Sequence, residues 1–391
     1  MLEAFYKTHR YLVEHTDAPV RRLLMDEIDW SHRLIAIKGS RGVGKTTFLL
    51  MYAKEQFGTS AECLYVNFNN FYFAQHSLVE FAGEFVQNGG KTLLLDQIFK
   101  YEQWSEELRI CYDKYPGLHI VFTASPVMRL TEENPDLCDI VHMYNLRGFS
   151  FREYLNLQSG QSFPTCTLQQ ILSDHEQIAA GIVGKVNPLW YFPDYLRHGY
   201  YPFFLEKRNF DETLLKTMNM MLEVDILLVK KIEIGYLDKI RKVLYSMILE
   251  TPCALNVSRL SESIDTSRAT IMNYIKYLKD ARLLNLLYPD DKQFPAKPRK
   301  VYMQNPNLLY TVPSGQIDKQ ALAETFFYNA LHACHKVNAT DRNAMFVVDG
   351  VNYFNVSARP SVKTGFRTTA IDNMEIGTGN RIPLWLFGFL Y

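Results

Sequence analysis

The octet Gly39-Ser40-Arg41-Gly42-Val43-Gly44-Lys45-Thr46 constrains this chain more than any other stretch. The apolar run Leu34-Ile35-Ala36-Ile37 precedes it, and Thr47-Phe48-Leu49-Leu50-Met51-Tyr52-Ala53, which reads as a helix, follows. A strand, a glycine turn and a helix start in that order give the pattern G-x-x-x-x-G-K-[ST] its physical meaning. The glycines let the backbone turn tightly, so that successive N–H groups and the helix N-terminus face a phosphate chain. Lys45 would reach the β- and γ-phosphates, and the Thr46 hydroxyl would help hold Mg²⁺. Gly39 through Thr47, including Ser40, Arg41, Gly42, Val43 and Gly44, is thus the expected ATP-binding set. The pattern arises by chance in roughly one chain in a hundred of this length.

Further apolar runs follow at intervals: Cys63 to Phe68, Thr92 to Asp96, His119 to Thr123 and Asp139 to Tyr144. Helical stretches fill the gaps, notably Trp104 to Tyr115. Near-continuously apolar strands alternating with helices predict a parallel sheet covered on both faces. Thr92-Leu93-Leu94-Leu95-Asp96 has the form of a Walker B segment, with a carboxylate at the end of a buried strand where it can bind Mg²⁺ through water. ATPases with an extra strand between the P-loop and Walker B strands commonly carry a glutamate next, which polarises the attacking water. Here that residue is Gln97. An amide orients water but does not accept its proton. Thr123 or Ser125, ending the following strand, is a candidate sensor of the γ-phosphate.

After Leu146 the pattern turns helical through about residue 235, which fits the lid of an AAA+-type ATPase. The aromatic loop Gly199-Tyr200-Tyr201-Pro202-Phe203-Phe204 within it reads as a packing plug. Residues 236–303 read as three helices (Asp238 to Glu250, Val257 to Ile264, Ser267 to Asp280) and a hairpin (Leu283 to Tyr288, Lys300 to Met303), a winged helix. Arg268, Asn273, Lys276 and Lys279 on its third helix, with Lys292, Lys297, Arg299 and Lys300 on the wing, could meet DNA, although such modules equally serve protein contacts. Residues 304–391 show a helix from Gln320 to Lys336 and short β runs at Met345 to Val348, Tyr353 to Val356 and near Thr369 to Ile371. His332, Cys334 and His335 lie near that helix without a second ligand cluster, so helix packing is expected there, not zinc.

Composition narrows the field further. Lys and Arg number 42 and Asp and Glu 42, so no global charge draws the chain to nucleic acid or membrane. Apolar residues make up 47%, enough for real cores in a chain that length predicts to hold two to four domains. The six cysteines lack metal-like spacing, which suggests reduced thiols. Met1 to Lys7 is too charged for a secretion signal, and the longest apolar run, Ile382 to Tyr391, is half a membrane span. A cytoplasmic location is the expectation.

With these residues in hand, the chain resembles the prokaryotic AAA-type ATPases of the STAND-related archaeal group, which end in a restriction-endonuclease-like domain. The resemblance rests on Ile37 to Thr47, Leu93 to Ile98, Ile120 to Ser125, Leu146 to Leu155, Gly199 to Phe204, Ala323 to Phe327 and Gly379 to Tyr391. It implies a P-loop NTPase core with an AAA+-like parallel sheet (1–150), a helical lid (151–235), a winged helix (236–303) and a small α/β nuclease-like domain (304–391). The departures share a direction. The family's Walker B Asp-Glu is Asp96-Gln97 here, and the acids expected after strand two are Asn69 and Asn70. In the nuclease-like domain the expected Asp falls near Ala344, and the Glu-x-Gly-Gly-Lys-like segment reads Asn355-Val356-Ser357-Ala358-Arg359. Only Glu324 survives of that metal site, so this domain is expected not to cut DNA. The expectation for the whole is a protein that binds ATP and Mg²⁺ through Lys45, Thr46 and Asp96, turns it over weakly or not at all, and meets a DNA or protein partner through the winged helix. The alternatives are a working AAA-type ATPase, in which another acid (Glu102 and Glu106 are nearby) or a partner subunit supplies the missing group, and a DNA-binding regulator that uses the winged helix.

Overall fold

The computed structural model describes residues 2–206, 208–229, 231–312, 317–360 and 367–391. It divides into two compact units, Met1–Arg147 and Gly148–Tyr391.

The first unit opens with helix α1 (Leu2–His15) and then builds a five-stranded sheet. Its strands are β1 (Leu34–Lys38), β2 (Cys63–Asn67), β3 (Thr92–Asp96), β4 (His119–Ala124) and β5 (His142–Asn145), in the order β2-β3-β4-β1-β5 and all parallel. Strand β4 therefore lies between the P-loop strand β1 and the Walker B strand β3, the arrangement in which a glutamate after the Walker B aspartate is expected. Leu34 to Ile37, Leu93 to Leu95 and Ile120 to Phe122 are buried because both faces of the sheet carry helices. Those helices are α2 (Lys45–Gln56), α3 (Leu78–Gln87) and α4 (Trp104–Lys114). The Ser77 hydroxyl accepts from the Glu80 N–H to start α3.

One strand differs from expectation. The run from Asp139 does not pair; β5 starts only at His142. Asp139 is held by the Arg109 guanidinium of α4 at 2.8 Å, and the Val141 N–H donates to Leu137 O within a turn. A surface ion pair and a local turn thus claim residues whose apolar character suggested a strand.

The second unit has its core around a five-stranded mixed sheet, β12-β11-β10-β9-β8. Its strands are β8 (Val337–Ala339), β9 (Phe346–Val348), β10 (Asn352–Ser357), β11 (Thr368–Ile371) and β12 (Arg381–Pro383). The first three form an antiparallel meander, and β10, β11 and β12 run parallel. Helix α11 (Lys319–His332) packs on this sheet. The closing apolar run becomes β12 and a buried 3-10 turn, Leu384–Phe389, with Trp385 and Phe387 in the core.

Two helices of the segment expected as a lid, α5 (Phe151–Ser159) and α6 (Leu168–Val183), share that core: Phe151, Leu155, Ile171 and Ile182 join Phe326, Phe354, Ile382 and Trp385. The aromatic loop is buried over Gly199, Tyr200 and Tyr201 and half-buried from Pro202 to Phe204. Tyr201 is fully enclosed, and its hydroxyl accepts from Asn305 at 3.1 Å.

After α7 (Phe210–Met220), helices α8 (Leu237–Glu250), α9 (Val257–Ile264) and α10 (Arg268–Asp280) precede an antiparallel hairpin of β6 (Leu284–Leu287) and β7 (Lys300–Met303). The hairpin runs on into the C-terminal sheet: Pro289 bridges Ala339, whose N–H donates to Tyr288 O at 2.7 Å.

Candidate functional site at the P-loop

Strand β1 ends at Lys38, and the chain must reverse before α2 begins at Lys45. Gly42 and Gly44 make the turn with φ of 85° and 91°, the left-handed region that other residues enter at a cost. Gly39 is required for a different reason: a Cβ there would sit 2.5 Å from Leu146 O. Gly44 precedes α2 without a capping side chain, so the first-turn N–H groups stay available to an anion. The Lys45 ammonium is held by the carbonyls of Gly39 at 2.6 Å and Ser40 at 2.9 Å, across the loop it would serve. Arg22 donates to Val43 O at 3.3 Å and to Arg147 O at 2.7 Å, which fixes the loop from the side. Thr46 and Thr47 are exposed in the first turn of α2, and Arg41 and Val43 complete the loop.

Asp96 sits at the end of β3, and it is 1% exposed. Its carboxylate gathers four donors. Oδ2 accepts from the Thr46 hydroxyl at 2.7 Å, the Tyr65 hydroxyl at 2.8 Å and the Asn67 amide at 3.4 Å. Oδ1 accepts from the Thr123 hydroxyl at 2.7 Å. The P-loop threonine and the Walker B aspartate are therefore brought together, fifty residues apart in sequence. Burial, and next the Asp96 charge, push the Tyr65 phenol far above the usual tyrosine range, so it stays protonated and donates. Its own backbone N–H donates to Nδ1 of His9 in α1 at 3.0 Å, closing the open edge of β2 at this point.

Gln97 follows with φ of 57° and gives its backbone N–H to Thr123 Oγ1 at 2.8 Å. Thr123, expected as a phosphate sensor, thus directs its proton to Asp96 and takes the Gln97 N–H; it is a brace between the two strand ends. Ser125 is buried beyond it. Asn69 and Asn70 act locally: Asn69 accepts from Lys100, and Asn70 caps the turn that starts at Phe71. Glu102 and Glu106 are exposed.

Sequence reasoning missed Tyr65, Asn67, His9 and Arg22. A signal for the first two did exist. In the parallel register Asn67 lies opposite Asp96 and Tyr65 opposite Leu94, so positions 65, 67 and 96 share a face once the strands are paired.

The residues for a nucleotide-bound Mg²⁺ fit that role: a threonine hydroxyl already seated against a buried carboxylate is the donor set such a cation uses beside phosphate oxygens. Among the described residues no cluster of three or more His, Cys, Asp or Glu could hold a metal without such a ligand.

In the second unit Glu324 is buried on α11, and its carboxylate accepts from Lys300 Nζ at 2.9 Å, the Tyr302 hydroxyl at 3.1 Å and Gln320 Nε2 at 3.1 Å. Asn355 accepts from the Met345 N–H, and the Ser357 hydroxyl receives the Arg359 N–H. The one surviving acid is thus enclosed by protein donors. His335 pairs with Asp349, and the Cys334 thiol reaches Leu390 O. On α10, Arg268, Asn273 and Lys279 are exposed, whereas Lys276 lies over the Phe294 ring at 4.9 Å and Arg299 pairs with Asp341.

Comparison with known proteins agrees with the first unit's geometry. Residues 31–155 match a family model described as an AAA domain, and residues 189–318 one described as a domain of unknown function (DUF8612). An uncharacterized protein of Methanocaldococcus jannaschii is 26% identical over 270 residues, 66% of this chain and 57% of that protein. The chain thus spans little more than half of that relative's length. Among solved structures, the Aeropyrum pernix ORC1 protein in complex with DNA covers 82% of this chain and 92% of its own at 12% identity and a TM-score of 0.31. AMPPCP-bound DnaA from Aquifex aeolicus covers 70% and 87% at 12% identity and a TM-score of 0.25. Overlap this low carries no argument about partners or activity. The loop geometry and the strand order agree with that match: residues 31–155 have the fold of an AAA-type P-loop domain.

Proposed function

We propose that the chain binds ATP with Mg²⁺ at Gly39 to Thr47 and acts as a nucleotide-dependent switch, with hydrolysis slow or absent. The observation that carries this reading is the strand end at β3: Asp96 is seated against Thr46, and the next residue is Gln97. Lys45 would hold the β- and γ-phosphates, and Thr46 and Asp96 the cation, directly and through water. A bound cation would offset phosphate charge and polarise the γ-phosphoryl group. Gln97 would orient a water there without taking its proton, which removes the general-base contribution. Steady-state phosphate release by purified protein tests this: turnover far below the ~1–10³ s⁻¹ of ordinary enzymes is expected, and turnover in that range would overturn it.

The later segments enter as part of the same proposal. Residues 236–303 are read as a winged helix, and 304–391 as a restriction-endonuclease-like domain without a catalytic metal centre. The Lys300–Glu324 pair supports the second point, since the remaining acid already has an ammonium partner. The hairpin's continuation into the C-terminal sheet and the engaged Lys276 and Arg299 favour a protein-facing role over DNA contact. A salt-dependent DNA shift lost on substituting Arg268 and Lys276 would reverse that preference. Hydrogen exchange across residues 148–391 with and without ATP tests the switch, which requires protection there to change. No helix among the described residues is long and apolar enough to cross a membrane.

A further inference from the structure

We infer that Tyr65 is a positioning residue for the divalent cation at the P-loop, an inference that rests on the nucleotide site proposed above. A carboxylate offers about four lone-pair sites. In Asp96 the Thr46 and Tyr65 hydroxyls take the two on Oδ2, with the Asn67 amide a long third contact, and Thr123 takes one on Oδ1. These donors are not equivalent. Thr46 is the residue whose oxygen would hold a P-loop cation through a lone pair, which would leave its proton able to stay on Oδ2 or to turn away from it. Asp96 would hold the cation's water through a carboxylate lone pair, so the orientation of that carboxylate would set where the water sits.

That water keeps its place only if Oδ2 stays put whichever way the Thr46 proton points. On that oxygen the Asn67 amide, at 3.4 Å, is too long to hold it. The Tyr65 hydroxyl at 2.8 Å is the short bond that remains. Tyr65 is well suited to this. It is 4% exposed, its ring is carried on a paired strand opposite Leu94, and its N–H is anchored on His9. Its hydroxyl proton points at Asp96 Oδ2. Thr123 does the same for Oδ1, which leaves the carboxylate plane fixed from both sides while Thr46 is free to turn.

The test is ADP affinity of the full chain, measured by calorimetry in excess Mg²⁺ and again in EDTA, for wild type and Tyr65→Phe. The variant should keep the EDTA affinity within about twofold and lose about tenfold or more of the gain that Mg²⁺ confers. An unchanged or larger Mg²⁺ gain would overturn the inference. So would an equal fall of both affinities, because a packing role alone predicts that. Failure of the wild type to bind ADP under either condition would overturn the nucleotide reading itself, and this inference with it. If Tyr65→Phe does not fold, Asn67→Ala gives the comparison through Tyr65 itself, because the Asn67 amide donates to the Tyr65 oxygen at 3.3 Å and helps turn its proton toward Oδ2. A smaller loss of Mg²⁺ gain at unchanged EDTA affinity is then expected, and no loss contradicts the inference.

Discussion

The Thr123 hydroxyl donates to Asp96 Oδ1 at 2.7 Å while accepting the N–H of Gln97 at 2.8 Å. One side chain on β4 therefore sets both the carboxylate and the backbone of the residue after it. Thr123→Val keeps the shape and removes the donor and the acceptor together. It leaves a buried charge one hydrogen bond short and an amide without its partner, at a cost of about 2–3 kcal/mol. Urea denaturation measures the loss, and Thr123→Ser should recover most of it.

His9 makes the first unit sensitive to acid. Burial first, and then the Arg10 charge, push its imidazole down to about 4 from 6.5. Above pH 6.5 the ring is neutral in folded and unfolded chains alike, and it contributes no pH dependence. As pH falls below 6.5 the unfolded chain takes up a proton that the folded chain refuses until about pH 4. Stability therefore drops across that window, by up to about 3 kcal/mol. His9→Asn keeps an acceptor for the Tyr65 N–H and does not titrate, so thermal melts between pH 7 and about pH 4 should show a flatter decline in the variant.

Gln97 occupies the position where a carboxylate would take the proton of the attacking water. Its backbone is already left-handed, a conformation in which Gln and Glu fare alike. Gln97→Glu should raise ATP turnover by about a hundredfold, the low end of the general-base range, with nucleotide affinity little changed. Phosphate release at saturating ATP reads the gain. No gain would mean that another group limits the reaction.

The Lys300–Glu324 pair predicts a non-additive pattern. Glu324→Leu strands the ammonium and two further donors, for a loss of about 3 kcal/mol. Lys300→Met in the same chain should return part of that stability, because a buried pair replaced by apolar residues of similar size is often neutral. The double-mutant cycle is read by denaturant unfolding. The wild type should show no rise in the melting temperature of residues 148–391 with Mn²⁺ alone.

The glycine loop, four of the five strands of the first sheet and the buried carboxylate that ends β3 were legible in sequence because each is a local pattern. Glycine spacing and apolar runs need no knowledge of what lies opposite. What escaped depends on pairing. Tyr65 and Asn67 reach Asp96 only through the register of β2 on β3, and His9 only through the packing of α1 on that edge. Strands β8 and β12 are three residues each, too short for a periodic signal. Helices α5 and α6 carry ordinary amphipathic patterns, which say that an apolar face is buried and not that its partners are Phe326 and Trp385 far along the chain. Asp139 shows the opposite error, a β-like run drawn into a turn by an ion pair with Arg109.

The proposed site holds ATP at Gly39 to Thr47 through Lys45, and equilibrium dialysis of labelled ATP against the wild type and Lys45→Ala is its test. Saturable one-to-one binding by the wild type and a loss of about a hundredfold in the variant are expected, with its fold intact by circular dichroism. Absence of binding by the wild type, or equal binding by Lys45→Ala, would contradict it.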